Sequence, residues 1–259
     1  MLNISIVSKK NYPELKKLYG AFNVSQKGDI CLAIGGDGTF IKAANDFDCP
    51  ILPIRSEEKQ STGYYADVSL NDIDFIVESL KKRRYRVEEL SKKIGLSYNG
   101  KKYFGINEIL LRNVQEEVYF RLNYREHGKL KSLYPYVLSG DGFLITTNVG
   151  STAYNRTAGG PIILDNKTLC LTFLSIENPL TNSMVLRSNE QIEVSIEKGR
   201  GELSYDGIGI ASVGKGSKFR VRLSNKKVNA VKLDGRSEDF SDKILRIIKS
   251  KMQENHVDG

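Results

Sequence analysis

The spacing of apolar residues changes near Leu90, and this change constrains the fold more than any other feature of the chain. Before it, strand-like apolar runs alternate with amphipathic helical segments, a pattern typical of a parallel α/β sheet. After it, the runs are short, rich in β-branched and aromatic residues, and separated by turn sequences such as Asn99-Gly100. The sequence therefore predicts an α/β domain over residues 1–90, followed by an all-β domain over residues 91–239.

The individual elements follow from the same patterns. In the first half, strands are predicted at Leu2–Val7, Asp29–Ile34 and Ile51–Ile54, and helices at Pro13–Phe22, from Thr39 and near 71–84, which together make a Rossmann-like parallel sheet. In the second half, strands are predicted at Lys102–Phe104, Ile109–Arg112, Val118–Tyr124, Phe143–Thr147, Leu169–Ile176, Ile192–Ile196 and Phe219–Leu223. A final helix in residues 240–259 is expected to pack back onto the protein, with Ser241 as its N-cap and Ile244, Leu245, Ile248 and Met252 on its apolar face.

Composition excludes several classes of protein. The three cysteines lie far apart and there are only two histidines, so a disulfide framework, a zinc ribbon and a multi-histidine metal site are excluded. No apolar run approaches the roughly 18 residues that a membrane span needs. The net charge of +8 favours an anionic partner, but the lysines occur in scattered pairs rather than among aromatic residues, which argues against nucleic acid. We expect a cytoplasmic protein with no nucleic-acid or membrane partner.

A glycine-rich turn with a single carboxylate follows one of the predicted strands. The apolar run Asp29–Ile34 leads into Gly35-Gly36-Asp37-Gly38, and a helix is predicted from Thr39. The glycines allow a sharp turn and a close approach to a ligand, and the N-terminus of the following helix presents free N–H groups to an anion. Because parallel α/β sheets bind ligands at the carboxyl ends of their strands, a functional phosphate-binding turn is favoured over a plain turn.

Small, glycine-rich and hydroxyl-bearing residues form a second cluster in the β-rich half. It comprises Gly140-Asp141-Gly142, Asn148–Tyr154 and Ala158–Pro161. Such a composition lets a flat polar ligand lie against the backbone, with Tyr154 offering an aromatic face and threonine hydroxyls offering hydrogen bonds. Taken alone, a set of tight β-turns explains this cluster slightly better.

Taken together, the two clusters resemble the NAD kinase family. The hallmarks of that family are a Gly-Gly-Asp-Gly turn, a later Asn-Glu pair, and a Gly-Ser-Thr-Ala-Tyr segment that ends in Gly-Gly-Pro. This chain has them in the same order, at Gly35–Gly38, Asn107-Glu108, Gly140–Gly142, Gly150–Tyr154 and Gly159–Pro161, and its Tyr205-Asp206-Gly207 is similar to the family's late Asp-Gly. The resemblance extends from about residue 29 to the C-terminal helix.

The resemblance implies a two-domain fold with a dinucleotide between the domains. The implied reaction is ATP-dependent phosphorylation of the adenosine-ribose 2′-hydroxyl of NAD, which gives NADP. By position, Asp37 is similar to the family's catalytic carboxylate and Gly38 to its neighbouring contact. The resemblance assigns Asn107 and Glu108 to ribose hydroxyls and Asp141 to the nicotinamide end. The other residues implied to line the dinucleotide pocket are Thr152, Ala153, Tyr154 and Thr157.

The donor side of the implied site combines the glycine turn with a divalent metal. Gly35 and Gly36 are assigned to phosphate binding. Lys42, one turn into the helix, can assist, although a solvated helix position explains this lysine equally well. Phosphoryl transfer depends on positioning and charge neutralisation, so Mg²⁺ is expected with ATP, and no residue is identified as its direct ligand. The sequence leaves open whether polyphosphate replaces ATP.

The chain departs from the family pattern after its third predicted strand. Where the family carries Asn-x-Gly-x-Leu-Gly-Phe, this chain has Arg55 in place of the Asn and retains only Gly63-Tyr64 as a match to the Gly-Phe end. Arg55 is therefore a candidate contact for the donor phosphates. Tyr64, in the retained Gly-Tyr pair, and Asp206, in the late Asp-Gly turn, are further candidate ligand contacts.

Other functions stay open at this stage. A lipid kinase of the diacylglycerol type resembles the chain in its Gly-Gly-Asp-Gly turn and two-domain plan, but Asn107-Glu108 and Gly150–Tyr154 argue against it. A non-catalytic dinucleotide sensor would use the same pocket, and the retention of Asp37 argues for catalysis instead. A basic nucleic-acid binder is a more distant alternative. The family resemblance further suggests a homodimer or a homotetramer.

Overall fold

The chain forms two compact units in a computed structural model, which describes residues 2–56, 64–177, 180–187 and 190–257. The first unit combines residues 1–90 with residues 228–259, and the second contains residues 91–227. Residues 228–239, which the sequence analysis groups with the all-β half, thus cluster with the first unit. They do so because the end of the last strand pairs with a strand of the first unit.

The first 81 residues supply most of the α/β unit. Its strands are β1 (Asn3–Ser8), β2 (Asn23–Val24), β3 (Ile30–Gly35), β4 (Ile51–Arg55) and β5 (Val68–Ser69), and its helices are α1 (Leu15–Ala21), α2 (Asp37–Asp46) and α3 (Ile73–Lys81). These elements confirm the strands and helices that the alternating apolar pattern predicts, with small differences at the boundaries.

The remainder of the chain is built mainly from strands. They are β6 (Tyr85–Tyr98), β7 (Lys101–Gly105), β8 (Glu108–Asn113), β9 (Val118–Glu126), β10 (Lys129–Ser132), β11 (Leu138–Gly140), β12 (Gly142–Thr146), β13 (Thr168–Leu174), β14 (Ser183–Arg187), β15 (Gln191–Lys198), β16 (Arg200–Tyr205), β17 (Ile208–Gly214) and β18 (Lys218–Leu233). A short helix, α4 (Tyr154–Thr157), lies between β12 and β13, and α5 (Phe240–Val257) follows β18.

Parallel pairing determines which residues meet at one edge of the first unit's sheet. The strands follow the order β18-β4-β3-β1-β2, and β3 pairs in parallel with both β1 and β4. Both β3 and β4 are almost continuously buried, as expected for a parallel sheet that is covered on both faces. In this register Gly35 lies opposite Arg55, and Ile34 lies opposite Ser8. The carboxyl ends of three adjacent strands therefore form a common edge.

Helix α5 belongs to the first unit, but its buried face differs from the predicted one. The helix begins at Phe240, so Ser241 lies in its first turn and the prediction that Ser241 is the N-cap is wrong. Ile244 is fully buried as predicted, whereas Leu245 is 45% exposed. Lys243 takes the buried position instead and is only 2% exposed. Among the helices in the described ranges, none combines the length and the hydrophobicity that crossing a lipid bilayer requires.

The second unit is antiparallel throughout its main pairings, which confirms the all-β prediction. One sheet has the strand order β14-β13-β12-β8-β16-β17. In the other sheet, strands β10, β9, β15 and β18 are neighbours in that order, and β11 pairs with β9. The core of this unit contains Phe120, Phe143 and Phe219, and the Phe143 ring lies 5.0 Å from that of Phe120 and 6.5 Å from that of Phe219, between centroids.

Truncation of Phe143 should destabilise the second unit strongly. The side chain is fully buried, so Phe143→Ala removes apolar contacts and leaves a cavity that the antiparallel strands cannot close. We expect the free energy of unfolding to fall by about 3–5 kcal/mol, measured by urea denaturation followed by circular dichroism. Val185→Ala, at a side chain that is 56% exposed, is the control and should change stability little. Equal losses in the two variants would contradict this description of the core.

Candidate active site

The Gly-Gly-Asp-Gly turn lies at the carboxyl end of β3, where α2 begins. Gly36 is the N-cap of α2, and Asp37 and Gly38 form its first turn. Gly35 has φ +154°, and a Cβ added there would lie 2.3 Å from Oγ1 of Thr39, so a side chain is disfavoured. The first N–H groups of a helix have no partner within the helix. The turn is therefore suited to bind an anion such as a phosphate.

The carboxyl group of Asp37 is half-buried beside this turn. The backbone N–H groups of Tyr64 and Tyr65 donate hydrogen bonds to it. Burial raises the pKa of the Asp37 carboxyl above its ordinary value, and the two N–H groups and the positive charges of Lys243 and Arg55 oppose that rise. A carboxylate with a raised pKa is a stronger base than an exposed one, so Asp37 is equipped to accept a proton from a hydroxyl group.

The two tyrosines hold Asp37 from the segment that precedes β5. Tyr65 is 6% exposed, and its ring stacks on that of Phe40 in α2, with centroids 4.4 Å apart. Tyr64, a predicted ligand contact, is half-buried and reaches Asp37 through its backbone. Gly63, which the sequence analysis pairs with Tyr64, lies outside the described residues, as does the 57–62 part of the divergent loop.

Arg55 and Lys42, both predicted on the donor side, lie in different surroundings. Arg55 is the last residue of β4, directly opposite Gly35, and its charge acts on Asp37. The Nζ atom of Lys42 lies 2.8 Å from Oδ2 of Asp46, and the Lys42 side chain is 65% exposed. The structure thus brings Arg55 to the glycine turn, whereas it gives Lys42 the solvated helix position that the sequence also allowed.

Two buried lysines of the first unit are not predicted by any pattern in the sequence. Lys232 and Lys243 are 3% and 2% exposed. Their Nζ atoms lie 2.9 and 2.5 Å from the two carboxylate oxygens of Asp67. Lys232 also donates to the carbonyl of Glu238 at 2.9 Å, and Lys243 donates to that of Ala66 at 2.6 Å. One carboxylate therefore binds two ammonium groups in the interior of the α/β unit.

In the second unit, the Asn-Glu pair is held by the carboxylate of Asp206. Asp206 lies in the turn between β16 and β17 and adopts a positive φ of 46°. Its two oxygens accept hydrogen bonds from the N–H of Ile106 at 2.7 Å and from the N–H of Asn107 at 2.8 Å. The N–H of Glu108 also donates to Asp206, at 3.3 Å. This candidate ligand contact therefore positions the backbone of the Asn107-Glu108 pair.

The side chain of Glu108 is in surroundings that disfavour its charge. Its Oε2 atom is buried and has no hydrogen-bond partner among the described residues. Burial and, to a smaller extent, the nearby carboxylate of Asp206 raise the pKa of Glu108 to about 7. The carboxyl group therefore exchanges a proton near neutral pH, and it can either accept or donate a hydrogen bond to a hydroxyl of a ligand.

The Gly-Ser-Thr-Ala-Tyr segment begins directly against the backbone of Asn107. The N–H of Thr147 donates to the carbonyl of Asn107 at 2.9 Å, and the hydroxyl of Thr146 donates to the same oxygen at 2.8 Å. A Cβ added at Gly150 would lie 2.2 Å from that oxygen, so a glycine is required there. The structure thus brings two of the motifs into contact within the second unit.

The side chains of this segment divide into internal and accessible ones. Thr152 is 5% exposed, and its hydroxyl donates to the carbonyl of Val149 at 3.1 Å. Ala153 and Tyr154 are half-buried, and Thr157 is exposed. Of these four predicted contacts, Ala153, Tyr154 and Thr157 present side-chain surface, while Thr152 stabilises the segment itself.

Asp141 lies at the other end of the central strand pair from Glu108. In the pairing of β12 with β8, Thr146 is opposite Glu108, and Gly142 lies at the far end. The four residue steps between them correspond to about 13 Å at ~3.3 Å per residue. The carboxylate of Asp141 instead accepts a hydrogen bond from Nδ2 of Asn113 at 2.9 Å. The structure therefore does not bring Asp141 next to Glu108.

The ionisation of Glu108 should make the stability of the protein depend on pH. The pKa of Glu108 is about 7 in the folded protein against an ordinary 4.5, so the folded state binds this proton more tightly than the unfolded state does. The stability that this group contributes is present below about pH 4.5 and is lost as the pH rises to about 7. We expect Glu108→Gln, which cannot ionise, to raise the melting temperature at about pH 8 and to change it little at about pH 5.

Thermal unfolding followed by circular dichroism at both pH values measures this difference. Glu116→Gln, at an exposed glutamate of the same unit, is the matched control and should give no pH-dependent difference. A change in melting temperature for Glu108→Gln that is the same at both pH values would contradict the prediction.

A family model and several curated proteins match this chain over most of its length or over its second half. Residues 114–233 match the model of the ATP-NAD kinase C-terminal domain. An NAD kinase of Clostridium kluyveri is 32% identical over 222 residues, which is 82% of this chain and 76% of that protein. An NAD kinase of Agathobacter rectalis is 27% identical over 261 residues, which is 97% of this chain and 86% of that protein.

Two solved structures with a similar fold are kinases of NAD or NADH. An NAD kinase from Archaeoglobus fulgidus, in complex with ATP, has a TM-score of 0.72 at 18% identity and covers 94% of this chain and 98% of its own. Yeast NADH kinase, complexed with NADH, has a TM-score of 0.78 at 16% identity and covers 96% of this chain and 86% of its own. These two likenesses confirm the fold. The sequence identity to the Clostridium kluyveri protein, over most of both chains, confirms the resemblance carried by the motifs: the chain belongs to the NAD kinase family.

Proposed function

We propose that the protein transfers the γ-phosphoryl group of ATP to the 2′-hydroxyl of the adenosine ribose of NAD, giving NADP. The observation that carries this proposal is the position of Asp37, which combines a carboxylate of raised pKa with the N-terminus of α2 in one turn. A base and an anion site side by side are what the attack of a hydroxyl on a phosphate requires. ATP as the donor is supported by its presence in the Archaeoglobus fulgidus enzyme.

In the proposed reaction, Asp37 accepts the proton of the 2′-hydroxyl as the ribose oxygen attacks the γ-phosphorus. The bond from that oxygen to phosphorus forms, and the bond from phosphorus to the bridging oxygen breaks, so that ADP leaves. The N–H groups of Asp37 and Gly38, in the first turn of α2, would stabilise the negative charge of the transferring group. Arg55, opposite Gly35 at the same sheet edge, would contact the donor phosphates.

The acceptor is assigned to groups of the second unit. Asn107 and Glu108 would hydrogen-bond the ribose hydroxyls, with their backbone held by Asp206. Tyr154 is half-buried and would offer its ring face to a base of the dinucleotide. Asp141 is proposed to contact the nicotinamide end of NAD. It precedes β12, whose far end lies opposite Glu108, so it is separated from the proposed ribose contacts by the length of that strand. The remaining proposed contacts are Thr152, through its backbone, Ala153 and Thr157.

A divalent cation, Mg²⁺, is proposed to accompany ATP. Within the described residues, no group of three His, Cys, Asp or Glu side chains is placed to hold a metal ion. The ion would be bound mainly by the donor's phosphate oxygens and water, as is usual for Mg²⁺ with nucleotides. When bound, the ion would neutralise charge on the phosphates.

One assay tests the proposed activity directly. Purified protein is incubated with NAD, ATP and Mg²⁺, and NADP is measured with an NADP-specific dehydrogenase. Turnover supports the proposal, whereas NAD binding without turnover indicates a dinucleotide sensor. Neither binding nor turnover, together with phosphorylation of diacylglycerol, indicates a lipid kinase. Replacing ATP with polyphosphate in the same assay identifies the donor.

Replacement of the proposed base should abolish most of the turnover. Asp37→Asn cannot accept the proton, so we expect kcat to fall by roughly 10²–10⁴. NAD binding should change far less, because a neutral amide can still accept a hydrogen bond. Asp46→Asn, at an exposed carboxylate of the same helix, is the matched control. Near-normal turnover by Asp37→Asn would remove Asp37 from its proposed role.

Removal of the Tyr154 ring should weaken NAD binding. Stacking of a base on an aromatic ring contributes about 1–3 kcal/mol, so Tyr154→Ala should reduce the affinity for NAD by roughly ten- to a hundredfold. Tyr154→Phe keeps the ring face and should be milder. Calorimetric titration of NAD into the two variants and wild type measures the effect, with the exposed Tyr19→Ala as the control. Equal affinities for all four proteins would exclude Tyr154 from the site.

The proposal includes an assembly state and a compartment. We propose a homodimer or a homotetramer, on the basis of the family resemblance, and light scattering on the purified protein measures the mass against that of one chain. We also propose a cytoplasmic enzyme, which the three free cysteines support, since reduced thiols are typical of that compartment.

A further inference from the structure

The buried lysine pair of the first unit has no role in the reaction proposed above. Lys232 in β18 and Lys243 in α5 bind the same carboxylate, that of Asp67, and their side chains are 4% and 2% exposed. Two ammonium groups on one carboxylate give this cluster an excess of positive charge. Burial of a charge in excess costs free energy unless another negative group lies near enough to offset it.

The segment Tyr64–Asp67 connects this cluster to Asp37. At its start, the N–H groups of Tyr64 and Tyr65 donate to the Asp37 carboxylate. At its end, the carbonyl of Ala66 accepts from Lys243 at 2.6 Å, and the carboxylate of Asp67 binds both lysines. Four consecutive residues therefore contact Asp37 on one side and the lysines on the other.

The charges that surround Asp37 come from several elements, and they are not equivalent. Lys243 of α5 and Arg55 of β4 both lower the pKa of Asp37 against the larger effect of burial. On α2 itself, Lys42 is exposed and paired with Asp46. Lys232 acts on Lys243 rather than on Asp37. Burial is the main cause that lowers the pKa of Lys243; the charges of Lys232 and Arg55 lower it further, and that of Asp67 raises it.

We propose that Lys243 is a positioning residue for phosphoryl transfer, which supplies positive charge to the Asp37 carboxylate and holds the Tyr64–Asp67 segment against it. This inference rests on the proposed function, because it takes Asp37 as the base. Lys232 has a different role in this arrangement, since it binds the second oxygen of Asp67 and so fixes the carboxylate on which Lys243 rests. If the cluster only stabilised the fold, removal of either lysine would affect the ionisation of Asp37 equally. The proposal predicts that, of the two lysines, Lys243 alone affects it.

Two matched variants separate these possibilities. Lys243→Met and Lys232→Met each remove one ammonium group and leave the other on Asp67, so neither variant leaves that carboxylate unpaired. The measurement is kcat/KM for NAD as a function of pH, where the acid limb reports the ionisation of the base. The exposed Lys249→Met, on the same helix as Lys243, is the control.

We expect the acid limb of Lys243→Met to move to higher pH. On that limb kcat/KM should be about tenfold below wild type, and the two profiles should converge at alkaline pH, because the base is then ionised in both. Lys243→Arg, which keeps the charge, should restore the acid limb towards its wild-type position. Lys232→Met and Lys249→Met should keep the wild-type limb. A shift of equal size in Lys243→Met and Lys232→Met, or no shift in either, would overturn the proposal.

A direct titration of Asp37 distinguishes failure of this inference from failure of the proposed function. The carboxyl carbons of ¹³C-labelled aspartate are followed by NMR against pH, with the Asp37 signal assigned by its loss in Asp37→Asn. If wild type has no kinase activity but Lys243→Met raises the pH at which Asp37 titrates, the proposed function fails and the charge coupling stands. If wild type is active and Asp37 titrates identically in wild type and Lys243→Met, the inference fails alone. If Lys243→Met does not fold, Lys243→Gln is used in its place. If neither variant folds, Lys243 is required for the fold itself, and the proposal is overturned.

Discussion

The parallel pairing of β3 with β1 and β4 is the constraint on which the first half of the site depends. Parallel strands end at the same edge of a sheet, so the register that buries these strands also places Arg55 beside Gly35. The sharp turn at Gly35 then starts α2 at that edge, with Asp37 in its first turn. Packing of an apolar sheet therefore decides where the carboxylate and the helix N-terminus lie, before any ligand is considered.

Four partly buried carboxylates show that the groups around an acidic side chain, rather than burial itself, determine its role. Asp206 is surrounded by backbone N–H groups and orders a loop. Asp67 binds two ammonium groups and joins β18 to α5. The Oε2 atom of Glu108 has no hydrogen-bond partner among the described residues, and the pKa of this side chain rises to about 7. Asp37 lies between these extremes, since N–H groups and positive charges offset only part of the effect of burial.

The sequence predicted the features that depend on neighbouring residues and missed those that depend on distant ones. The glycine turn, the Asn-Glu pair and the Gly150 segment are contiguous motifs, and the alternating apolar pattern identifies the strands that carry them. The contact of Lys243 with Asp67 joins residues 176 positions apart, and no local pattern encodes it. A weak signal did exist, because Lys232 interrupts the apolar end of β18, where a solvated lysine is not expected. The displaced face of α5 has the same origin, since Lys243 is buried by a partner that helical periodicity does not reveal.

The discontinuity of the first unit has a consequence for biosynthesis. Ribosomes deliver residues 91–227 as one contiguous unit, whereas residues 1–90 must wait for residues 228–259 before their own unit is complete. Until then the strand β4 lacks its neighbour at Ala230, and Asp67 lacks both of its ammonium partners. A nascent chain therefore exposes the Gly-Gly-Asp-Gly turn before Lys243, whose charge acts on Asp37, has been synthesised, and the surroundings of Asp37 are completed only when α5 has formed.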